Sequence, residues 1–448
     1  MLERSENKRN TVQITDLEGL VPKEHLVRKI DKVVDFDEVY DIVEPYYCED
    51  NGRPSVDPVV LVKIVLLQHL FGIPSMRRTI SEIEVNVAYR WFLGFDLMTA
   101  VPHFATVSYA FATRFPSEVF EKIFTWILEQ GIKRGLVDAG TVFIDATHVK
   151  ANANKKKNRK ELALKTARIY DEELREEINA DREAHGKKPL KDHNDDDKGQ
   201  GGGVRQITVS TTDPDCGLFH KGEHKVEFAY TAHVACDRHN FVLSCEVTPG
   251  NVHDSTVFDK VYEDVRESFK EVETVTVDAG YKTPWICRKV QEEGRNLSTP
   301  YKCPMTKKGF FKSYEYVYDA YYDCVICPNN QVLRYSTTNR EGYREFKSNP
   351  AVCKQCGQRE KCTQSRNHQK VVTKHIWEPF MDAAEDFRYS PAGKRSYGLR
   401  SQTIERVFAD AKEKHGMRYT LLRGLDRVRN SIRLTFAAMN LKKLAMWA

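Results

Sequence analysis

The residues best placed to do chemistry are carboxylates at the ends of apolar runs. Val142-Phe143-Ile144 is a short apolar run that stops on Asp145. The pattern returns at Val275-Thr276-Val277, followed by Asp278-Ala279. Runs of this kind read as buried strands, with each Asp where its strand leaves the sheet. One such Asp is as readily a turn cap. Two of them at the ends of two core strands can hold a divalent cation between them. A third acid, Glu405, falls on nearly the same helical line as Lys412, at the border of the stripe Ile404, Val407, Phe408 and Ala411. There it can reach a sheet edge, although alone it is one surface carboxylate among many.

Cysteines form the second set. The chain has 11. Cys324-x2-Cys327 and Cys353-x2-Cys356 are two knuckles, and four thiolates so paired give one tetrahedral zinc. Cys303, Cys362 and His368 are substitute ligands. Redox cysteines need a strand–helix context that this segment lacks. Reduced, buried thiols are the plain alternative.

These groups must be positioned by several elements. Residues 1–135 read as a compact helical domain. Asp57-Pro58 starts a helix over 59–71 that is apolar almost all round. Thr79-x-x-Glu82 forms a capping box for the next helix, and short helices follow at 106–113 and 116–130. Small helical domains often place a helix in the DNA major groove, and Arg77, Arg78 and Arg90 are candidates to face phosphates. After Asp145, residues 152–204 read as an excursion. A long polar helix is expected at 160–183, then a Gly-rich linker with Asp195-Asp196-Asp197. A hairpin, 225–235 with 240–247, turns at Asp237-Arg238-His239-Asn240. Residues 297–376 are rich in aromatics and cysteine, and basic helical sequence closes the chain.

With 448 residues, two or three domains are expected. The net charge is only +5, yet from residue 391 onward thirteen Lys or Arg stand against four acids. Concentrated positive charge suggests a polyanionic partner, against the plainer reading of a solvated helix surface. The opening Met1-Leu2-Glu3-Arg4-Ser5-Glu6 is charged, and the most apolar stretch, 59–71, is too short to span a bilayer. A cytoplasmic protein is expected, and there cysteines argue for metal or buried thiols rather than disulfides.

Taken together, Asp145 after one strand, Asp278-Ala279-Gly280-Tyr281 after another, and Glu405-x6-Lys412 resemble the catalytic core of bacterial insertion-sequence transposases of the DDE class. The likeness extends to Asn152-Ala153-Asn154, Asp213-Pro214-Asp215, His220-Lys221-Gly222-Glu223-His224-Lys225, Gly250-Asn251-Val252-His253-Asp254-Ser255 and Leu422-Arg423-Gly424-Leu425. It spans roughly residues 15–447. The resemblance implies an α/β, ribonuclease-H-like mixed sheet with flanking helices. Asp145, Asp278 and Glu405 would hold two Mg²⁺ ions, and Lys412 would contact a DNA phosphate. Tyr397-x2-Arg400 matches a related motif, but four residues rather than three separate Arg400 from Glu405.

The expected organisation is a helical DNA-binding or dimerisation domain at 1–135 and a nuclease core at 136–296 and 377–448, with a zinc-ribbon-like insertion at 297–376. The implied activity cleaves double-stranded DNA at element ends and joins the 3′-hydroxyls to a target, in a DNA-bound homodimer near the nucleoid. Trp285, Arg77, Arg78, Tyr397 and Arg400 are candidate DNA contacts, Trp285 by base stacking unless it is simply core. His253-Asp254 is a candidate to support a metal ligand. The rivals are a nuclease without strand transfer and a DNA-binding protein that has lost catalysis.

Overall fold

The computed structural model describes residues 9, 11–12, 14–48, 55–164, 170–190, 204–221, 225–302 and 306–447. The linker at 191–203, residues 222–224 and Cys303 lie outside them.

Helices come first: α1 (Leu17–Leu20), α2 (Leu26–Val33), α3 (Glu38–Val43), α4 (Pro58–Leu70), α5 (Met76–Val85), α6 (Val87–Phe92), α7 (Phe104–Tyr109) and α8 (Ser117–Lys133). Asp57 caps α4 by accepting from Val59 N at 2.7 Å. The start of α5 corrects the expected capping box. Ser75 is extended and its hydroxyl accepts from Arg78 N, so the helix begins one turn before Thr79. Arg90 does not face phosphates either. It is buried and donates to the Asp96 and Thr99 carbonyls, tying down the loop after α6.

The main sheet contains β1 (Thr141–Lys150), β4 (Gly217–Lys221), β5 (Lys225–Cys236), β6 (Val242–Pro249), β7 (Thr274–Val277) and β8 (Asn296–Ser298), with β2 (Asn158–Leu164) and β3 (Val204–Ser210) forming a separate two-stranded sheet. β5 is long enough to serve two neighbours along one edge, β4 beside its first half and β6 beside its second. Its other edge pairs antiparallel with β1, and β1, β7 and β8 run parallel. The β5–β6 hairpin matches the sequence expectation, with Asn240 in the left-handed region at the turn (φ 69°).

The excursion differs from its reading as one long helix. Residues 158–164 pair with Val204–Ser210, and α9 (Asp171–Ala184) follows. The pairing partner lies some forty residues away, beyond the reach of a local pattern.

Crossover helices α10 (Phe258–Ser268) and α11 (Pro284–Glu292) connect β6 to β7 and β7 to β8. Residues 317–375 build a second sheet, an antiparallel row of β9 (Val317–Asp319), β10 (Cys324–Ile326), β11 (Val332–Thr338), β12 (Tyr343–Lys347) and β13 (Val371–His375). Its small core is Tyr316, Val325, Leu333 and Phe346. Two short helices, α12 (Pro350–Lys354) and α13 (Arg359–Cys362), sit between β12 and β13. α9 lies against this sheet: Arg344 pairs with Asp181, and His185 Nε2 sits 2.6 Å from Asp323.

The chain finishes with α14 (Glu378–Tyr389), α15 (Pro391–Gly398), α16 (Ile404–Lys414) and α17 (Leu425–Trp447). α17 packs on α8, α2, α4 and β6 at once. Its first turn is capped from afar, Asp213 accepting from Gly424 N (3.1 Å) and Asp215 from Leu425 N (3.0 Å). Carboxylates there meet the positive end of the helix dipole, which gives Asp213-Pro214-Asp215 a structural role. One hydrophobic core runs from Val21 through the sheet to Ala445, so the helical region and the sheet share an interior. At one seam, Gly72 (φ +62°) abuts the Lys414 carbonyl so closely that a Cβ would lie 2.6 Å from it. Among the described residues no helix is long and apolar enough to cross a membrane.

Candidate active site

Asp145 is not at the end of its strand, as the sequence suggested. Antiparallel pairing with β5 carries β1 on to Lys150. What stops at Asp145 is the other edge: the parallel register with β7 ends at Ile144↔Val277. Asp278 is the next residue of that register, so the two carboxylates emerge side by side where adjacent strands lie about 4.8 Å apart.

A cation already stands between them. Arg400 is buried, and its Nη2 donates to Asp145 Oδ2 at 2.5 Å. Its Nη1 lies 3.9 Å from Asp278 Oδ1 and has no hydrogen-bond partner. Burial pushes the Asp145 carboxyl up to about 6; Arg400 and the Ala146 N–H oppose this, while Asp278 and Asp254 add to it.

The placement of Arg400 follows from α15. Ser396 bonds the Thr276 hydroxyl on β7, and the Gly393 carbonyl accepts from Ser298 on β8. A 3-10 turn, Leu399–Gln402, then leads to Thr403, whose backbone (φ −113°, ψ −103°) breaks the path before α16 starts. The end of this turn, the break and the first residue of α16 make up the four residues between Arg400 and Glu405. Tyr397 lies beneath the guanidinium, 5.6 Å from ring centroid to Arg400 Cζ. Burial pushes the Tyr397 phenol up; Arg400 opposes it, and the charges of Asp278, Glu405 and Asp145 all add. The ring therefore stands in the field of all three sequence-nominated acids.

α16 packs along β1. Its exposed Glu405 is at the end nearer the paired Asp residues. Lys412, roughly 10 Å further along the helix axis, lines an open groove with Ala146, Thr147, His148, Lys150, Phe219, Glu227 and Arg418. The His148 and Phe219 rings lie 3.5 Å apart, and His148 Nδ1 meets the Thr231 hydroxyl at 2.9 Å. Sequence reading missed His148, Lys150 and Arg418. The first two become visible once β1 is extended, because they alternate on one face.

Asp254 is a fourth acid of the cluster, its carboxyl raised first by burial and then by Asp278, with His253 opposing. His233, unnoticed in the sequence, is buried with Nδ1 3.8 Å from Asp254 Oδ1. Its signal was a polar residue at an inward position of β5.

Other nominees fall elsewhere. Trp285 stacks on Tyr170 at 4.7 Å and donates to Asp259, so it serves packing rather than an open stacking surface. Arg77 is exposed above Phe104, and Arg78 pairs with Glu82. Cys327, Cys353, Cys356 and Cys362 line one small cavity, whereas Cys324 and His368 do not. Among the described residues, no three His, Cys, Asp or Glu side chains are closed up as a ready metal-holding group.

The family comparisons frame this geometry. Residues 15–112 match the model of a transposase domain (DUF772), and residues 326–445 match that of a transposase DDE domain. Both matches support an insertion-sequence DDE transposase. The second match contains Tyr397, Arg400, Glu405 and Lys412, while Asp145 and Asp278 lie between the two matched segments. No curated protein matches the chain.

Proposed function

We propose that this protein cuts DNA at the ends of an insertion sequence and joins the freed 3′-hydroxyls to target DNA. Asp145, Asp278 and Glu405 are its metal-holding acids. The observation that carries the reading is the β1–β7 register, which sets Asp145 and Asp278 side by side with Arg400 against both, while α16, bearing Glu405, packs along β1. The strand order, an antiparallel trio joined through β1 to a parallel trio, supports a ribonuclease-H-like core.

The donor set fits Mg²⁺. It consists of hard carboxylate oxygens, and burial with Asp278 nearby raises the Asp145 carboxyl while Arg400 balances it. When bound, a pair of such ions polarises the scissile phosphate and lowers the pKa of the attacking hydroxyl. The chain's own part is positioning. Asp145 and Asp278 are fixed by the β1–β7 register, Arg400 holds the two carboxylates together, and Lys412 with Lys150 and Arg418 lines the groove for the backbone leading away. Exposed Arg77 and Arg78 are proposed contacts to the element end, in a DNA-bound dimer.

The test incubates the full chain and Mg²⁺ with a DNA fragment carrying an element end and a supercoiled target. Joined products are expected. Nicks without joining favour a plain nuclease, and retained DNA binding with no cleavage favours an inert binding protein.

A further inference from the structure

The cysteine-bearing sheet poses a stability problem. α12 and α13 are five and four residues long and bury no side chain. Helices this short do not hold themselves together in water. The fully buried core of the sheet is strand residues and Tyr316, and from α12 and α13 Cys362 alone of the described residues packs against it, partly buried. The feature joining these helices to the strands is the cavity where Cys327 from the turn after β10 meets Cys353, Cys356 and Cys362.

We propose that Cys327, Cys353, Cys356 and Cys362 form a tetrathiolate site for one Zn²⁺, and that Cys324 is not a ligand. The first C-x2-C pair of the sequence is thus not a ligand pair. Cys324 lies within β10, opposite Asp319 and Arg334, and strand alternation turns it with Ile326, away from the core residue Val325. Its electrostatic neighbours are Asp319, Asp323 and Arg334, none of them a cysteine. Cys362 in contrast feels both Cys327 and Cys353.

Each ligand comes from a turn suited to it. Cys327 opens a tight turn, Asn330 N donating to its carbonyl at 2.8 Å with Asn330 in the left-handed region (φ 54°). Cys353 and Cys356 flank the end of α12, Cys356 N donating to Cys353 O at 3.2 Å. Donors stand behind the sulfurs. The Tyr316 hydroxyl is 3.3 Å from Cys362 Sγ, and Asn329 Nδ2 reaches Cys356 Sγ at 3.6 Å. The Cys353 thiol bonds the Ser348 hydroxyl at 3.2 Å, a bond that reverses direction once the sulfur is a thiolate. Loading draws the four sulfurs inward and releases their four protons to solvent. The product carries two negative charges, offset by Arg359 and Lys370, which line the same cavity.

The experiment uses the full chain. Metal analysis of the parent should find about one zinc per chain. Cys324→Ser should keep it, and Cys362→Ser should lose it. Cobalt substitution gives a second readout, in which the parent and Cys324→Ser share one tetrathiolate absorption spectrum. Because Cys362→Ser can unfold the insertion, the parent's thiols are also alkylated with and without a zinc chelator. Chelation should expose Cys327, Cys353, Cys356 and Cys362 together and leave Cys324 labelling unchanged. A zinc-free parent, zinc retained by Cys362→Ser, or zinc lost by Cys324→Ser would each overturn the assignment.

Discussion

Asp145 and Arg400 are a buried pair whose members restrain each other. Burial works against the carboxylate, the guanidinium works for it, and the result is a carboxyl that titrates at about 6. Arg400→Gln removes the opposing cation, so Asp145 should titrate higher still. Carbon-13 NMR of the labelled carboxyl reads this directly, and an unmoved titration would refute the coupling. Asp145→Asn should lower Mg²⁺-dependent cleavage a thousand-fold or more, roughly 4 kcal/mol of barrier. DNA affinity, measured by fluorescence anisotropy, should stay within a few-fold. Equal cleavage by variant and parent would remove Asp145 from the machinery. The two aspartates were legible because an apolar run ending in a carboxylate repeats. Arg400 was visible as a residue but not as their partner, since no periodicity links position 400 to position 145. His233 and Asp254 touch across a strand and a turn, a contact only the folded sheet creates.

At the scale of elements, the seam between α4 and the end of α16 carries two histidines. His69 Nδ1 sits 3.0 Å from the Thr435 hydroxyl, and the His69 carbonyl accepts from His415 Nδ1 at 2.8 Å. Burial, with the His415 charge adding, holds His69 down to about 4 from 6.5. The unfolded chain therefore binds a proton in that window while the native one refuses it. Stability from this residue falls as pH drops from 6.5 toward 4, by up to about 3 kcal/mol. Asp145 and Asp237, both raised to about 6, act in the opposite sense between 3.8 and 6, so the informative quantity is a difference. The parent should lose stability relative to His69→Gln across this range in denaturant titrations, and parallel curves would sink the assignment. The remote cap on α17 gives a second measure. Asp215→Ala should cost about 1 kcal/mol by the same titration, as loss of an N-cap does. The β5–β6 hairpin and α4 were legible from turn residues and a capped apolar run. β2 was not, because its charged sequence becomes a strand only through its distant partner β3.

For the whole molecule, the sequence reading drew a boundary near residue 135, where helical pattern gives way to strands. The interior ignores that boundary. α17 reaches α2, α4 and α8 on one side and β6 on the other, and Asn440 clasps both the N–H and the carbonyl of Val242 at 2.8 Å. Patterning along a chain reports which face is buried but not against what, so a shared core is invisible to it. Helical region and sheet should unfold together. Phe436→Ala, at a fully buried site on α17, should cost about 3–5 kcal/mol and shift one common transition. Probes in α4 and in the sheet that melted separately would contradict this. The proposed zinc unit has its own small core and is the part expected to melt on its own when metal is stripped.

Gly72 gains importance from this arrangement. Its backbone lies against the carbonyl of Lys414, at the end of the helix that begins beside Glu405. Adding a single methyl at Gly72 would press on that helix like a thumb on a lever, with the acid at its far tip. Drift in the first hundred residues is then able to detune chemistry it never touches, and a loss of cutting mapped to position 72 would mark a transmitted displacement rather than a missing reactive group.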